Sequence, residues 1–256
     1  MLKFYSLSSG SSGNSAFLRY KNTRILIDCG ISARKVSDAL YQIGEDSVDA
    51  ILITHEHGDH IKGLKVFSKK HSVPVYATGP TWENIGSCGD YIPVFNRRIS
   101  VPGGVIPVGD IDVLPFATSH DSAFSVGYTL LCGDKKIAIA TDNGKLTADF
   151  ANNLQGCYTA LIEANYDEKM LTQGPYPYPL KCRISSPVGH MSNHQAGKLA
   201  CALARSGTEK IILGHLSVEN NTPDLAYNIV SEMLREENLK VSLKVAHRYD
   251  ITDLLE

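Results

Sequence analysis

The sequence predicts an α/β chain built as a four-layer αββα sandwich, two mixed sheets packed face to face with helices on both outer sides. Three observations lead there. Apolar strand-like runs alternate with helix-like runs in both halves of the 256 residues, and two stacked sheets covered by helices bury such runs on every face. Several strand-like runs end abruptly in a histidine or an aspartate, where a core-packing residue would not be expected. No linker, repeat or low-complexity segment divides the chain, so residues 1–256 read as a single domain, a length that α/β folds reach undivided.

The elements follow in order. "LKFYSL" is short and apolar, "AFLRY" and "RILIDCG" flank a "KNT" turn, and "DAILIT" is β-branched and suited to a buried strand. Between them "ISARKVSDALYQIG" carries Ile31, Val36, Leu40 and Ile43 at helical spacing and stops at Gly44. "IKGLKVFSKKH" reads as a short helix and "VPVYAT" as a strand. The middle holds "IDVLPFATSH" and then "FSVGYTLLCGDKKIAIATD", a hairpin turning at Gly133-Asp134. Afterwards "TADFANNL" reads as a helix, "TALIEAN" as a strand and "HQAGKLACALARSG" as a helix closed by Gly207. Strand "KIILGH", helix "DLAYNIVSEMLREEN" and strand "LKVSLKVAH" complete the chain. "SSGSSGNS", residues 8–15, lies between two strands and reads as a loop. A plain Gly-rich turn is its simplest role, and presenting hydroxyls and N–H groups to an anion is the sharper one.

Bulk properties exclude several classes. The formal charge is −2 and the pI about 6.5, whereas a protein coating duplex DNA through phosphate contacts is usually basic. A nucleic-acid substrate would therefore be gripped locally. "MLKFYSLSSG" has no apolar signal core, and no run approaches membrane-spanning length. The six cysteines are scattered without a C-x-x-C pair, as small hydrophobes in a reducing compartment would be. The expectation is a cytoplasmic protein with no membrane association, and no protein partner is readable.

"THEHGDH", residues 54–60, carries the chemistry. It directly follows a strand and contains Gly58, which argues for a loop at a sheet edge. On a tight loop His55 and His57 point to one side and Asp59 and His60 to another. One tetrahedral metal does not readily take all four, whereas two metals about 4 Å apart do. Partners stand at strand ends: His120 after "FATS", Asp142 after "AIAT", His215 after "IILG", and Asp28 in "ILIDCG".

H-x-H-x-D-H after a strand, followed by a lone His, a lone Asp and a late lone His, resembles the metallo-β-lactamase superfamily. That resemblance implies an αββα fold with a dinuclear site at one edge of the sheets. It implies His55, His57 and His120 on the first metal, Asp59, His60 and His215 on the second, and Asp142 bridging both. Asp28 matches an aspartate that braces the histidine loop, and Glu56 is a bystander. Two divalent cations bring four positive charges and Asp59 with Asp142 cancels two, which suits a phosphate that gains charge as it is attacked. Imidazole with carboxylate ligation suits zinc, manganese or iron.

"VGHMSNHQAGKLACALA" places His190, Ser192 and Asn193 at a helix start, where Ser or Asn caps the helix and free N–H groups take an anion. The segment is similar to one in the phosphodiesterase branch of the superfamily. There a histidine works with a glutamate from the preceding strand, here Glu163 in "LIEAN", so Glu163 is expected to orient His190. "LIEANYDEKML", "GPYPYPLKCRI", "GHMSN" and "ILGHLSVENNTP" look like the YycJ/WalJ-type bacterial group, described as DNA exonucleases, and the likeness runs over nearly the whole chain. It departs at His194, where an acidic or amide residue is expected. The 72 residues between Asp142 and His215 are too few for the inserted domain of β-CASP nucleases.

For substrate grip the sequence offers Lys62, Lys65 and Lys69 on one helix face, the pair Arg97 and Arg98, and Tyr176, Tyr178, Lys181 and Arg183 in "YPYPLKCR". The functional expectation is a dinuclear phosphodiesterase acting on nucleic acid, a 5′-to-3′ exonuclease on single-stranded DNA. In it a metal-bridging hydroxide attacks, with Asp59, His190 and Glu163 as the catalytic set and Ser192, Asn193, Lys181 and Arg183 touching substrate. The alternative enzyme is a small-molecule hydrolase for a lactone, thioester or cyclic phosphodiester. A metal-dependent binding module is the non-enzyme alternative.

Overall fold

The computed structural model describes residues 1–255 and holds two seven-stranded sheets. In the first, β1 (Leu2–Ser8), β2 (Ser15–Tyr20) and β3 (Thr23–Ile27) run antiparallel. From β3 the sheet continues in parallel through β4 (Ala50–Leu52), β5 (Val75–Ala77) and β6 (Arg97–Ile99). In the second, β7 (Ile106–Val108), β8 (Ile111–Ala117), β9 (Val126–Cys132) and β10 (Lys135–Ala140) are antiparallel. Then β11 (Thr159–Glu163), β12 (Lys210–Gly214) and β13 (Ser242–Val245) follow in parallel. A short β14 (Thr252–Asp253) pairs antiparallel with β1. Each sheet is thus three antiparallel pairs followed by three parallel ones. This repetition lies in the wiring, and no repeat of residues announces it.

Helices close both outer faces. α1 (Ala33–Gln42), α2 (Gly58–Ile61), α3 (Leu64–His71), α4 (Gly79–Asn84) and α5 (Ser87–Asp90) belong to the first half. α6 (Ala148–Leu154), α7 (Glu168–Gln173), α8 (Tyr178–Ile184), α9 (Asn193–Arg205) and α10 (Pro223–Glu236) belong to the second. Alternation along the strands sorts side chains into three apolar layers. Ile25 and Ile27 face Leu130, Ile137 and Ile139 between the sheets. Phe17 and Leu26 point the other way, onto Val36 and Leu40 of α1 and Leu64 and Phe67 of α3. Ala138 and Ala140 pack against Leu199 and Leu203 of α9 and Val230 of α10. Central strands are buried on both faces, so they read as continuous apolar runs, and each fully buried Leu, Ile or Phe contributes about 1.5–3 kcal/mol.

The long periodic elements lie where the sequence predicts them, as do the short β4, β5 and α6, but other short elements were not foreseen. α4, α5, α7, α8, β6, β7 and β14 have two to seven residues each, too few to show a period. "IKGLKVFSKKH" breaks at Gly63, where a Cβ would sit 2.8 Å from the Ala33 nitrogen, and only Leu64 onward forms α3. All six cysteines are free; Cys29, Cys132, Cys157 and Cys201 are buried, but Cys88 is only half-buried and Cys182 is exposed. Among the described residues no helix is long and apolar enough to cross a membrane.

Candidate metal centre

Chain segments leaving β3, β4, β8, β10, β11 and β12 meet at one edge of the two sheets. Asp28, Asp142 and His215 follow β3, β10 and β12, and each has a left-handed backbone, with φ of 58°, 57° and 57°. That conformation turns the chain sharply at the strand end and aims the side chain across the edge; it is uncommon for non-glycine residues, with Asn, Asp and His the most tolerant. The histidine segment is not wholly a loop, contrary to the expectation from Gly58. His57 caps α2, a single helical turn that carries Asp59 and His60. Gly58 has open space around it and tolerates the turn.

The ligand-type atoms gather as sets. His55, His57 and His120 form one, and Asp59, His60 and His215 another, with all atoms of each set within 4.8 Å of one another. Asp142 stands with His55 and His60, and also with Glu163, His190 and His215. The imidazoles are held by their Nδ1 atoms. His60 Nδ1 donates to Asp28 Oδ2 at 2.7 Å, and His120 Nδ1 to the Gly189 carbonyl at 3.0 Å. His215 Nδ1 donates to Glu163 Oε1 at 2.8 Å. His55 Nδ1 lies 3.0 Å from Thr54 Oγ1, whose own hydrogen goes to Asp28 Oδ2. The Nε2 lone pairs of these four therefore face the cluster, as ligating histidines require. His57 is the exception, offering Nδ1 at 3.2 Å from His120 Nε2.

This donor set fits a divalent cation. His55 Nε2 and Asp142 Oδ2 are buried without a hydrogen-bond partner. Asp142 Oδ2 lies 3.2 Å from His60 Nε2, a contact that needs positive charge between the two atoms, as a proton or as a cation. The titration behaviour says the same. Burial pushes His60 down, yet the Asp142 and Asp28 carboxylates hold it well above the usual imidazole range. Burial likewise opposes His215, which Asp142, Asp59 and Glu163 raise to about 10. Burial drives His55 well below its ordinary value. Asp142, despite burial, is held well below the carboxylate range by His215 and His60. Protons on His60 and His215 compensate the carboxylates, and a bound cation would take their place.

Glu163 is fully buried at the end of β11. Burial raises its carboxyl, but His190 and His215 outweigh that and bring it to about 2. Its Oε1 accepts from His190 Nδ1 at 2.7 Å as well as from His215, and its Oε2 accepts from the Asn143 and Met191 nitrogens. His190 is left facing a cavity of about 380 Å³ lined also by His57, Asp59, His120, Asp142 and His215.

The expected substrate contacts fare unevenly. Arg183 and Tyr176 line the cavity, and Arg183 forms an ion pair with Asp121. Lys181 does not line it and donates to the Thr172 carbonyl at 2.7 Å; Tyr178 points to solvent. Ser192 and Asn193 depart from expectation. Ser192 and Gln195 close a reciprocal capping box at the start of α9, the Asn193 nitrogen donates to Tyr166, and the Asn193 side chain exchanges hydrogen bonds with Asn221. Both are buried, so that helix start has no N–H of Ser192, Asn193 or Gln195 free for an anion. His194 instead meets Glu168 at 2.6 Å on the surface. Of the basic groups nearer the N-terminus, three are occupied elsewhere. Lys62 ends α2, whereas Lys65 and Lys69 belong to α3. Lys65 lies over the Tyr91 ring at 3.6 Å, and Arg97 and Arg98 bond nearby carbonyls.

Three residues here escaped the sequence reading. Glu56, expected to be idle, accepts from the Ala123 nitrogen at 2.6 Å and so ties down the segment after His120. Asp121 lies 3.5 Å from His120 Nε2; its place beside a ligand histidine was the available signal. Asn14, from the Ser8–Ser15 loop, donates to Asp59 Oδ2 at 3.2 Å. Nothing local in a Gly/Ser run reveals a partner 45 residues away.

The chain belongs to the metallo-β-lactamase superfamily of hydrolases: the pattern of the beta-lactamase superfamily domain matches residues 23–216. Among its relatives, exodeoxyribonuclease YycJ of Bacillus anthracis is 37% identical over 243 residues, 94% of this chain and 92% of that one. Exodeoxyribonuclease WalJ of Streptococcus pneumoniae serotype 2 is 37% identical over 246 residues, 94% and 91% of the two chains. The fold matches the metallo-β-lactamase fold protein YhfI of Bacillus subtilis with a TM-score of 0.74 at 15% identity, covering 98% of this chain and 99% of that one.

Proposed function

We propose that residues 1–256 act as one cytoplasmic domain, a dinuclear metal-dependent phosphodiesterase that trims single-stranded DNA from the 5′ end. The observation that carries this reading is the pair of ligand sets, His55/His57/His120 and Asp59/His60/His215, grouped around the buried and unsatisfied Asp142. Likeness to two exodeoxyribonucleases along 94% of the chain supports DNA as the substrate. A cavity of about 380 Å³ suits a strand end better than a continuous duplex.

The two sets would each hold one cation, zinc, manganese or iron, with Asp142 between them. When bound, such cations lower the pKa of water toward neutrality and offset the charge that builds on phosphate. The chain's own residues do the rest. Asp28 and Thr54 fix the His60 and His55 rings. Glu163 holds the Nδ1–H of His190, leaving Nε2 as the atom that meets substrate; as the imidazolium, whose charge the Glu163 carboxylate balances, His190 passes its Nε2 proton to the departing oxygen and is left neutral. Arg183 exchanges Asp121 for a substrate phosphate at the cavity wall.

The test uses end-labelled single-stranded DNA with and without a 5′-phosphate, and metal-free protein resupplied with Mn²⁺ or Zn²⁺. Stepwise shortening of the strand is expected from wild type and lost in Asp59→Ala. No cleavage with either metal, by protein holding two cations per chain, overturns the nuclease reading.

A further inference from the structure

The Ser8–Ser15 loop folds over one ligand set. Ser9 Oγ accepts from the His215 nitrogen at 2.9 Å, and the Ser11 nitrogen donates to the Leu216 carbonyl at 3.5 Å. Asn14, at the end of the loop, is 7% exposed and fully engaged. Its nitrogen donates to the Asp59 carbonyl at 2.8 Å, and its carbonyl accepts from the Gly30 nitrogen at 2.8 Å. Gly30 permits this approach because a Cβ there would collide with the Asp59 carbonyl and lie 2.6 Å from the Asn14 nitrogen. The side chain is oriented by the same network. Asn14 Oδ1 accepts from the Gly10 nitrogen at 3.0 Å, so the amide NH₂ must face the cluster. It lies 3.2 Å from Asp59 Oδ2 and 3.2 Å from His60 Nε2. In neutral His60, the form that binds a cation, Nδ1 donates to Asp28 and Nε2 is an acceptor, so one amide hydrogen suits each neighbour. Asp59 Oδ2 is also 3.3 Å from His215 Nε2. One neutral amide therefore touches two of the three members of the set Asp59, His60 and His215, and Asn14 holds Asp59 by backbone and side chain together.

We infer that Asn14 is a positioning residue that aims the Asp59 carboxylate and sets the cation affinity of the Asp59/His60/His215 half-site independently of the other half-site. The inference rests on the two-cation reading above. The amide donates to Asp59 without adding charge, so the carboxylate keeps its full attraction for a cation. At neutral His60 the amide hydrogen faces the lone pair that a cation would take, and it would give way when one binds. The Gly-rich segment thus acts as a strut for a ligand: Gly13 lets it pack against Gly30 and Ile31, and Gly30 lets Asn14 reach Asp59 of α2.

Metal-free full-length protein, titrated with Mn²⁺ and separately with Zn²⁺ in a calorimeter, reads the two sites. Wild type is compared with Asn14→Ala and Asn14→Asp, and the metal-free melting temperature of each is recorded. In Asn14→Ala, one of the two sites is expected to weaken by about 10- to 100-fold while the other holds. Asn14→Asp adds a carboxylate beside His60 and is expected to tighten that same site, the opposite sign. If both variants lower the metal-free melting temperature and weaken both sites in parallel, Asn14 merely holds the loop and the inference fails. Two unchanged sites in Asn14→Ala overturn it alone. A wild type that takes up one cation overturns the two-cation reading, and this inference with it.

Discussion

The two sheets are wired alike and equip the site differently. β3 and β10 are the corresponding strands, each the point where antiparallel pairing gives way to parallel, and each is followed by an aspartate in a left-handed conformation. Asp28 turns inward, accepting from Thr54 and His60, and never reaches the cluster except through them. Asp142, one residue further from its strand, keeps a bare oxygen among His55, His60 and His215. The first sheet then supplies a compact cassette of candidate ligands, His55 and His57 just before α2 and Asp59 and His60 on it, whereas the second sends single residues from separate strand ends. The same backbone device thus gives a braced carboxylate in one half and an unsatisfied one in the other, the proposed bridge. What decides is whether backbone and side-chain donors saturate the carboxylate.

That contrast can be broken by mutation, and the largest effect is expected at Asp142. Asp142→Ala should remove cation binding and bring activity to background, while Asp28→Ala, with its ligands intact, should cost about 10- to 100-fold in metal affinity. Metal content by mass spectrometry checks both, and equal losses would erase the distinction between brace and bridge. Glu163→Gln comes next. A glutamine offers one oxygen to four donors that now share two, so a loss of about 10- to 100-fold in turnover is expected. If His190 acts on the leaving oxygen, a substrate with an activated leaving group should recover part of that loss.

Gly30→Ala tests the contact between the loop and α2. The collision with Asp59 predicts a loss of about 1–3 kcal/mol in urea unfolding of the metal-free protein; an unchanged midpoint would show that α2 yields easily. The metal-free protein should also answer to pH. Glu163 moves from an ordinary 4.5 to about 2, so its contribution is complete above pH 4.5 and fades as pH falls through 2. His215 moves from 6.5 to about 10, so its contribution is complete below pH 6.5 and fades as pH rises through 10. These two groups place the stability maximum between pH 4.5 and 6.5, and a melting temperature that stays flat from there to pH 10 would show that His215 gains no proton in the fold. The smallest effect is expected at Ser192→Ala, about 1 kcal/mol of stability from the lost cap with DNA affinity unchanged, since Ser192 faces α9 rather than the cavity.

What was legible in the sequence follows from these arrangements. An apolar strand that stops at His120, Asp142 or His215 announces itself, because the polar residue breaks a pattern the preceding residues have set. The histidine cassette is local and equally visible. The start of α9 was harder, since the same serine serves a cap or an anion site. The glutamine at its third position, Gln195, marks the closed box. Asn193 was not readable at all, because its partner Asn221 lies on another segment. The grip expected of Lys65, Arg97 and Arg98 dissolved for a similar reason, their charges being spent on a ring and on carbonyls that only the folded chain brings near. β6, β7 and α8 were missed because pairing and capping, not period, define elements so short.

The left-handed turns at Asp28, Asp142 and His215 also bear on how such a site is spelled. A sharp turn after a strand is most cheaply made by glycine and, among residues with side chains, by Asn, Asp or His. Two of those three are strong metal-binding residues. Selection for the turn and selection for coordination therefore draw on nearly the same short alphabet. A chain that needs only to leave its strands steeply is already one substitution from gathering ligands at the sheet edge, and a chain that has gathered them can lose one to glycine without disturbing its fold.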